Sequence, residues 1–129
     1  MSQQSQRKKK KHLPRVRIPS NDFVVTDAAG EEYYPHAAEW VEVTPRITVG
    51  DIRRLRAMST LVGDELVDAM VGEAVPILSR LVVAWSWTGM NEEALPQPHR
   101  NMEAFDCLDV DELNYLFIIV GQVRGAGKN

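Results

Sequence analysis

VPILSRLVVAWSWTGMNEEALPQP, residues 75–98, is the stretch on which the reading of this chain turns. It opens with the most apolar run in the sequence and closes that run with two tryptophans. It then passes through an acidic turn into Leu95-Pro96-Gln97-Pro98. The spacing of Ile77, Leu78, Leu81, Val82 and Trp85 predicts a buried helix over residues 76–87 with one apolar face. Pro76 suits the first helical turn, where its missing N–H costs nothing. Gly89 and Asn91 are stop signals, and Pro96 and Pro98 keep the helix from resuming. Residues two apart on a helix point about 200° from each other, so Trp85 and Trp87 cannot share one core. One ring is expected inside. The other is expected at the surface as an interface anchor, or covered by the proline-bearing loop.

On the C-terminal side, Asn101 is placed to cap a short helix over residues 102–107. Cys107 reads as a small buried apolar residue beside Phe105 and Leu108. Asp109 and Glu112 form a capping box. The helix they start carries Leu113, Leu116, Phe117 and Val120 inward, runs to about Val123, and leaves residues 125–129 as a flexible end.

On the N-terminal side, residues 61–74 predict another helix, with Leu66, Met70 and Ala74 on one stripe and a kink or break near Glu73 to Val75 ahead of Pro76. Thr48 reads as the N-cap of a helix with Asp51 at its third position. Ile52, Leu55 and Met58 or Ser59 trace its inner face. Arg53, Arg54 and Arg56 read as a solvated face rather than an anion site. Trp40-Val41-Glu42-Val43-Thr44 alternates as a half-buried strand, and Phe23–Thr26 with Tyr33-Tyr34 reads as a hairpin turning at Ala28-Ala29-Gly30.

These pieces give a mainly α (α+β) chain: a small N-terminal β element followed by a compact bundle of four to five helices. The single α-rich domain spans residues 22–124, after a disordered basic tail over residues 1–21. Of the 15 lysines and arginines, seven lie in residues 1–17 with no acid; the remaining eight face 18 acidic residues. An acidic body thus carries a basic tail. Arg7, Lys8, Lys9, Lys10 and Lys11 are a candidate polyanion-binding run that supports weak nucleic-acid contact through phosphates, with a solubilising tail as the plainer reading.

One cysteine excludes an internal disulfide framework and fits a reducing compartment. No run reaches the 18 or so apolar residues of a membrane helix, and no apolar segment follows the basic N-terminus as in a secretory signal. A soluble, cytoplasmic protein is expected, with no membrane partner. His12, His36, His99 and Cys107 are far apart, with no metal-ligand spacing. There is no glycine-rich phosphate loop, and neither Ser79 nor Ser86 has a histidine nearby in sequence. No catalytic group, metal or cofactor is expected, and the chain reads as a binding protein.

The order of elements resembles the small tail assembly chaperones of long-tailed bacteriophages over about residues 38–122. The resemblance lies in Trp40-Val41-Glu42-Val43 leading into Thr48-Val49-Gly50-Asp51. It continues in an apolar helix ending Trp85-Ser86-Trp87-Thr88, the turn Asn91-Glu92-Glu93, Leu95-Pro96-Gln97-Pro98, and the capped Asp111-Glu112-Leu113 helix. It implies a non-catalytic role in the host cell cytoplasm: coating the aggregation-prone tape measure protein and helping tail-tube subunits polymerise around it. It places partner contacts at Trp85, Trp87, Leu95 and Pro96. The sequence leaves the oligomeric state open, a homo-oligomer included. The basic tail departs from the family pattern. It keeps open a structural virion protein of the head or tail, or a small nucleic-acid-binding regulator.

Overall fold

A computed structural model describes residues 14–126. Along the chain come β1 (Val16–Pro19), β2 (Val25–Thr26), β3 (Glu32–Tyr33) and β4 (Trp40–Val43). Then follow α1 (Val49–Ala57), a 3-10 turn (Met58–Thr60), α2 (Gly63–Ala69), a π-helical turn (Met70–Ala74) and α3 (Val75–Leu81). β5 (Val82–Trp85), α4 (Met102–Phe105) and α5 (Val110–Ala126) complete the order. β1, β4 and β5 form an antiparallel sheet with β4 in the centre, and β2 and β3 a separate two-stranded hairpin.

This corrects the expected architecture. The fold is α+β, built on a sheet that takes one strand from the middle of the chain, and not a helical bundle behind a small β element. The difference arises at residue 82. The expected helix over residues 76–87 stops at Leu81, and Val82 turns to extended backbone (φ −88°, ψ 112°). Val82 and Val83 are β-branched and favour a pleated surface. From there the chain pairs with β4 as Val41↔Trp85, Glu42↔Ala84 and Val43↔Val82, with a bulge between Glu42 and Val43. An apolar run of this length satisfies a buried helix and a buried strand equally well by periodicity. Pairing with β4 decides it.

The second correction concerns the tail. Val16–Pro19, expected within a disordered segment, is an edge strand pairing from Val16↔Val43 to Pro19↔Trp40. Val16 and Ile18 pack against the core. Arg15 and Arg17 reach across the ladder to Glu42 at 3.6 and 2.8 Å, and the Arg17 guanidinium lies 3.7 Å from the centre of the Trp40 ring. Charges that look like solvated tail in the sequence are in part the polar face of a strand. Arg7 and Lys8 to Lys11 lie outside the described residues.

The helices realise the sequence signals more closely. Thr48 and Asp51 make both bonds of the capping box at α1, and Asp109 and Glu112 both bonds of the box at α5. From Gly63 to Leu81 the path is helical throughout, and the irregularity expected ahead of Pro76 is the π turn. Val75 N–H bonds to Met70 O, five residues back. The widened turn accommodates a proline that has no N–H to give and whose ring crowds the carbonyl of Gly72. Cys107, expected to be buried, is exposed. Helix α4 stops at Phe105, so Cys107 faces away from the core that Ala104 and Phe105 enter.

One core joins the two layers. Val41, Val43, Val82 and Trp85 from the sheet meet Met70, Ala74, Leu78, Leu81, Leu116, Ile119 and Val120 from the helices.

Candidate functional site

Past β5 the pairing goes on for one residue, with Ser86 N–H donating to Trp40 O, and residues two apart in extended chain share a face. Trp85 and Trp87 point the same way, with rings stacked 5.5 Å apart at an interplanar angle of 7°. Both are buried, at 2% and 1% exposure, and neither is the surface anchor expected on a helix. Trp85 Nε1 donates to Pro96 O at 2.9 Å. The Gln97 side chain accepts from Trp85 N at 3.3 Å and donates to Trp85 O at 3.0 Å. The proline-bearing loop thus covers the first ring and closes the outer edge of β5. Beyond the strand the chain doubles back: Gly89 N–H donates to Glu93 O and Leu95 N–H to Trp87 O, which carries Leu95 into the core. Of the four residues expected to meet a partner, the structure brings all four together, buries Trp85, Trp87 and Leu95, and leaves Pro96 exposed.

Trp87 continues the stack outward. The His36 ring lies 4.0 Å from it at 4°, and Phe23 lies 5.6 Å beyond His36. His36 is 1% exposed, with Nδ1 2.6 Å from Glu39 Oε1 and Nε2 2.6 Å from Glu112 Oε2. Burial pulls its pKa down, but the hydrogen bonds to Glu112 and Glu39, with their charges, outweigh burial and hold it above the ordinary 6.5. Each carboxylate is bound again. Glu39 accepts from Thr88 N and Oγ1, and Glu112 Oε1 accepts from Asp109 N at the start of α5. Trp87 Nε1 donates to Ser20 Oγ, and Tyr115 Oη donates to Asp22 Oδ1 at 2.7 Å. Burial and that bond push the Tyr115 phenol pKa up. An imidazole enclosed between two rings, with both nitrogens occupied and almost no solvent contact, is placed to fix the hairpin and α5 against the sheet. It is not placed to exchange a proton with a substrate. Nothing near His36 in the sequence signals this role, because its partner Glu112 is 76 positions away.

The open surface lies on the helices. A groove of about 410 Å³ runs between the π turn, α4 and α5, lined mainly by Val71, Val75, Met102, Phe105, Leu108, Val110 and Leu113. Val71, Met102 and Val110 are more than half exposed there. A second hollow of about 250 Å³, across α5, is lined by Leu55, Met58, Leu61, Leu66, Met70 and Phe117. The π turn and α5 contribute to both, Met70 and Val71 to opposite sides. These positions were missed in the sequence because valines at helical spacing read as core. The signal was an apolar excess: Val67 and Val71 widen the stripe of Leu66, Met70 and Ala74 beyond what one packed face takes up.

No protein-family model, curated protein or solved structure matches the chain. Among the described residues no helix is long and apolar enough to cross a membrane.

Proposed function

We propose that this chain is a non-catalytic tail assembly chaperone of a long-tailed bacteriophage, acting in the host cytoplasm. In this reading it binds the tape measure protein and assists assembly of tail-tube subunits around it. The observation that carries the proposal is the open apolar groove between the π turn, α4 and α5, with Val71, Met102 and Val110 presented to solvent. A groove of this kind receives the apolar face of an amphipathic helix, the type of segment a long client exposes before assembly. The acidic surplus of the body keeps the complex soluble. Client contacts therefore belong to the groove, and Trp85, Trp87 and Leu95 act from inside by holding the sheet on which α4 and α5 pack.

Co-expression with the tape measure protein tests the reading. The client is expected in the soluble fraction only with this chain present, and to return to the pellet with Val71→Asp or Met102→Glu. A client whose solubility is indifferent to this chain overturns it. Mass spectrometry of purified particles separates a chaperone from a structural virion protein, since the chaperone leaves before the particle is complete. Steeply salt-dependent DNA binding that disappears with residues 7–11 would point instead to a nucleic-acid-binding regulator.

A further inference from the structure

Away from the apolar groove, a hollow of about 280 Å³ opens where β4 hands over to α1. Three segments enclose it: Thr44, Arg46 and Thr48 between strand and helix, Arg80 in the last turn of α3, and His99 with Arg100 after the proline loop. Eight basic residues follow residue 17 in a strongly acidic body, and three of them line this one hollow. Arg46 and Arg100 make no ion pair among the described residues. Arg80 is bound to Asp51 at 2.5 Å, and Asp51 is itself locked in the cap of α1. Three guanidiniums against one carboxylate leave a surplus of two positive charges.

Three further observations converge on the same place. The nine-residue helix α1 begins at the rim; Thr48 Oγ1 takes the Asp51 amide and Arg80 offsets the Asp51 carboxylate, which leaves the amides of Val49 and Gly50 without an intrahelical partner. Thr44 stands in the wall at 3% exposure, and its hydroxyl is without a hydrogen-bond partner among the described residues. Buried polar atoms in that condition are rare and costly. Arg100 holds a left-handed backbone (φ 53°), pinned by its N–H to Ser79 O at 2.7 Å. Such strain in a residue other than glycine persists where the surroundings enforce it.

We infer that this hollow binds a phosphate dianion, as inorganic phosphate or a small phosphomonoester, between Arg46, Arg80 and Arg100 at the start of α1. Two surplus charges match a phosphomonoester, which carries about −1.5 to −2 at neutral pH, better than a carboxylate or a phosphodiester. The guanidinium fork suits its oxygens in pairs. No Phe, Tyr or Trp lines the hollow, so the phosphate and not an attached base is the recognised group. The inference stands apart from the chaperone reading.

Calorimetric titration of the full chain with inorganic phosphate, phenyl phosphate and diphenyl phosphate tests it, alongside a variant with Lys8 to Lys11 changed to Gln. Saturable binding of the first two is expected, with the diester weaker by about tenfold. Binding is expected to survive in the tail variant and to fall about tenfold in Arg46→Gln and in Arg100→Gln. Both arginines are exposed, so these variants keep the fold, as their thermal melts would show. In NMR spectra the amides of residues 44–50 should move on phosphate addition. Three outcomes overturn the inference: no saturable binding, equal binding of monoester and diester, or binding lost with the lysines and kept without the arginines.

Discussion

The sheet side and the helix side of this molecule are both rich in apolar residues and treat them oppositely. On the sheet side, Phe23, His36, Trp87 and Trp85 form a closed stack, and the ring nitrogens of His36, Trp85 and Trp87 each have a partner. On the helix side, Val71, Met102 and Val110 stand more than half exposed around an open groove. The tryptophans therefore do not mark the proposed docking surface. Tryptophan carries polar as well as apolar demands, and here both are met internally. The smaller side chains, which ask for nothing but contact, are the ones left open, and the proposed function gives them a partner.

The contrast can be broken in order of expected effect. Trp87→Ala removes the ring between His36 and Trp85 and is expected to cost about 3–5 kcal/mol in urea unfolding. A cost below about 1 kcal/mol would mean that the stack is not structural. Glu39→Ala removes the acceptor of Thr88 and one of the two carboxylates that hold His36, and should cost about 3 kcal/mol. The same cluster sets a pH dependence. The folded pKa of His36 lies above 6.5, so its contribution is full below pH 6.5 and lost as pH rises through the folded value. Thermal melts should show stability declining on that alkaline side, and His36→Gln should flatten the slope. Asp51 works in the other direction. Burial alone would raise its pKa, but the bond from Arg80 and those with Thr48 hold it below 3.8. Its contribution is present above pH 3.8 and disappears as pH falls through the lower folded value. Tyr115→Phe removes one bond to Asp22 and should cost about 1 kcal/mol. Met102→Glu should shift stability by no more than about 0.5 kcal/mol while abolishing client solubilisation. A large loss of stability there would place Met102 in the core and remove the distinction between the two sides.

Local signals were legible where one residue pattern admits one structure. Both capping boxes form, the Trp40 strand lies where alternation places it, and Val25–Thr26 pairs with Glu32–Tyr33 as a hairpin. The fold class was not legible. Residues 82–87 read Val-Val-Ala-Trp-Ser-Trp, and the alternation of the two tryptophans is itself a period-two signal. The helical spacing of the preceding Ile77, Leu78 and Leu81 ran through into it. The candidate site inverts for the same reason, since two rings that diverge on a helix converge where the chain is extended. The tail boundary failed for a related reason. Val16 and Ile18 are too few to announce a strand, and it is β4, more than 20 residues later, that supplies their partners Val43 and Val41.

The Gln97 amide beside Trp85 has a consequence for self-association. A bare sheet margin invites another chain to add itself by hydrogen bonding, the first step toward fibres. With one side chain occupying both the N–H and the C=O of Trp85, that margin is blunted in the middle of a protein whose proposed task is to work among aggregation-prone chains. For a protein with that proposed task, seeding the stacking of its own strands would work against it, and Gln97 removes that opening at Trp85.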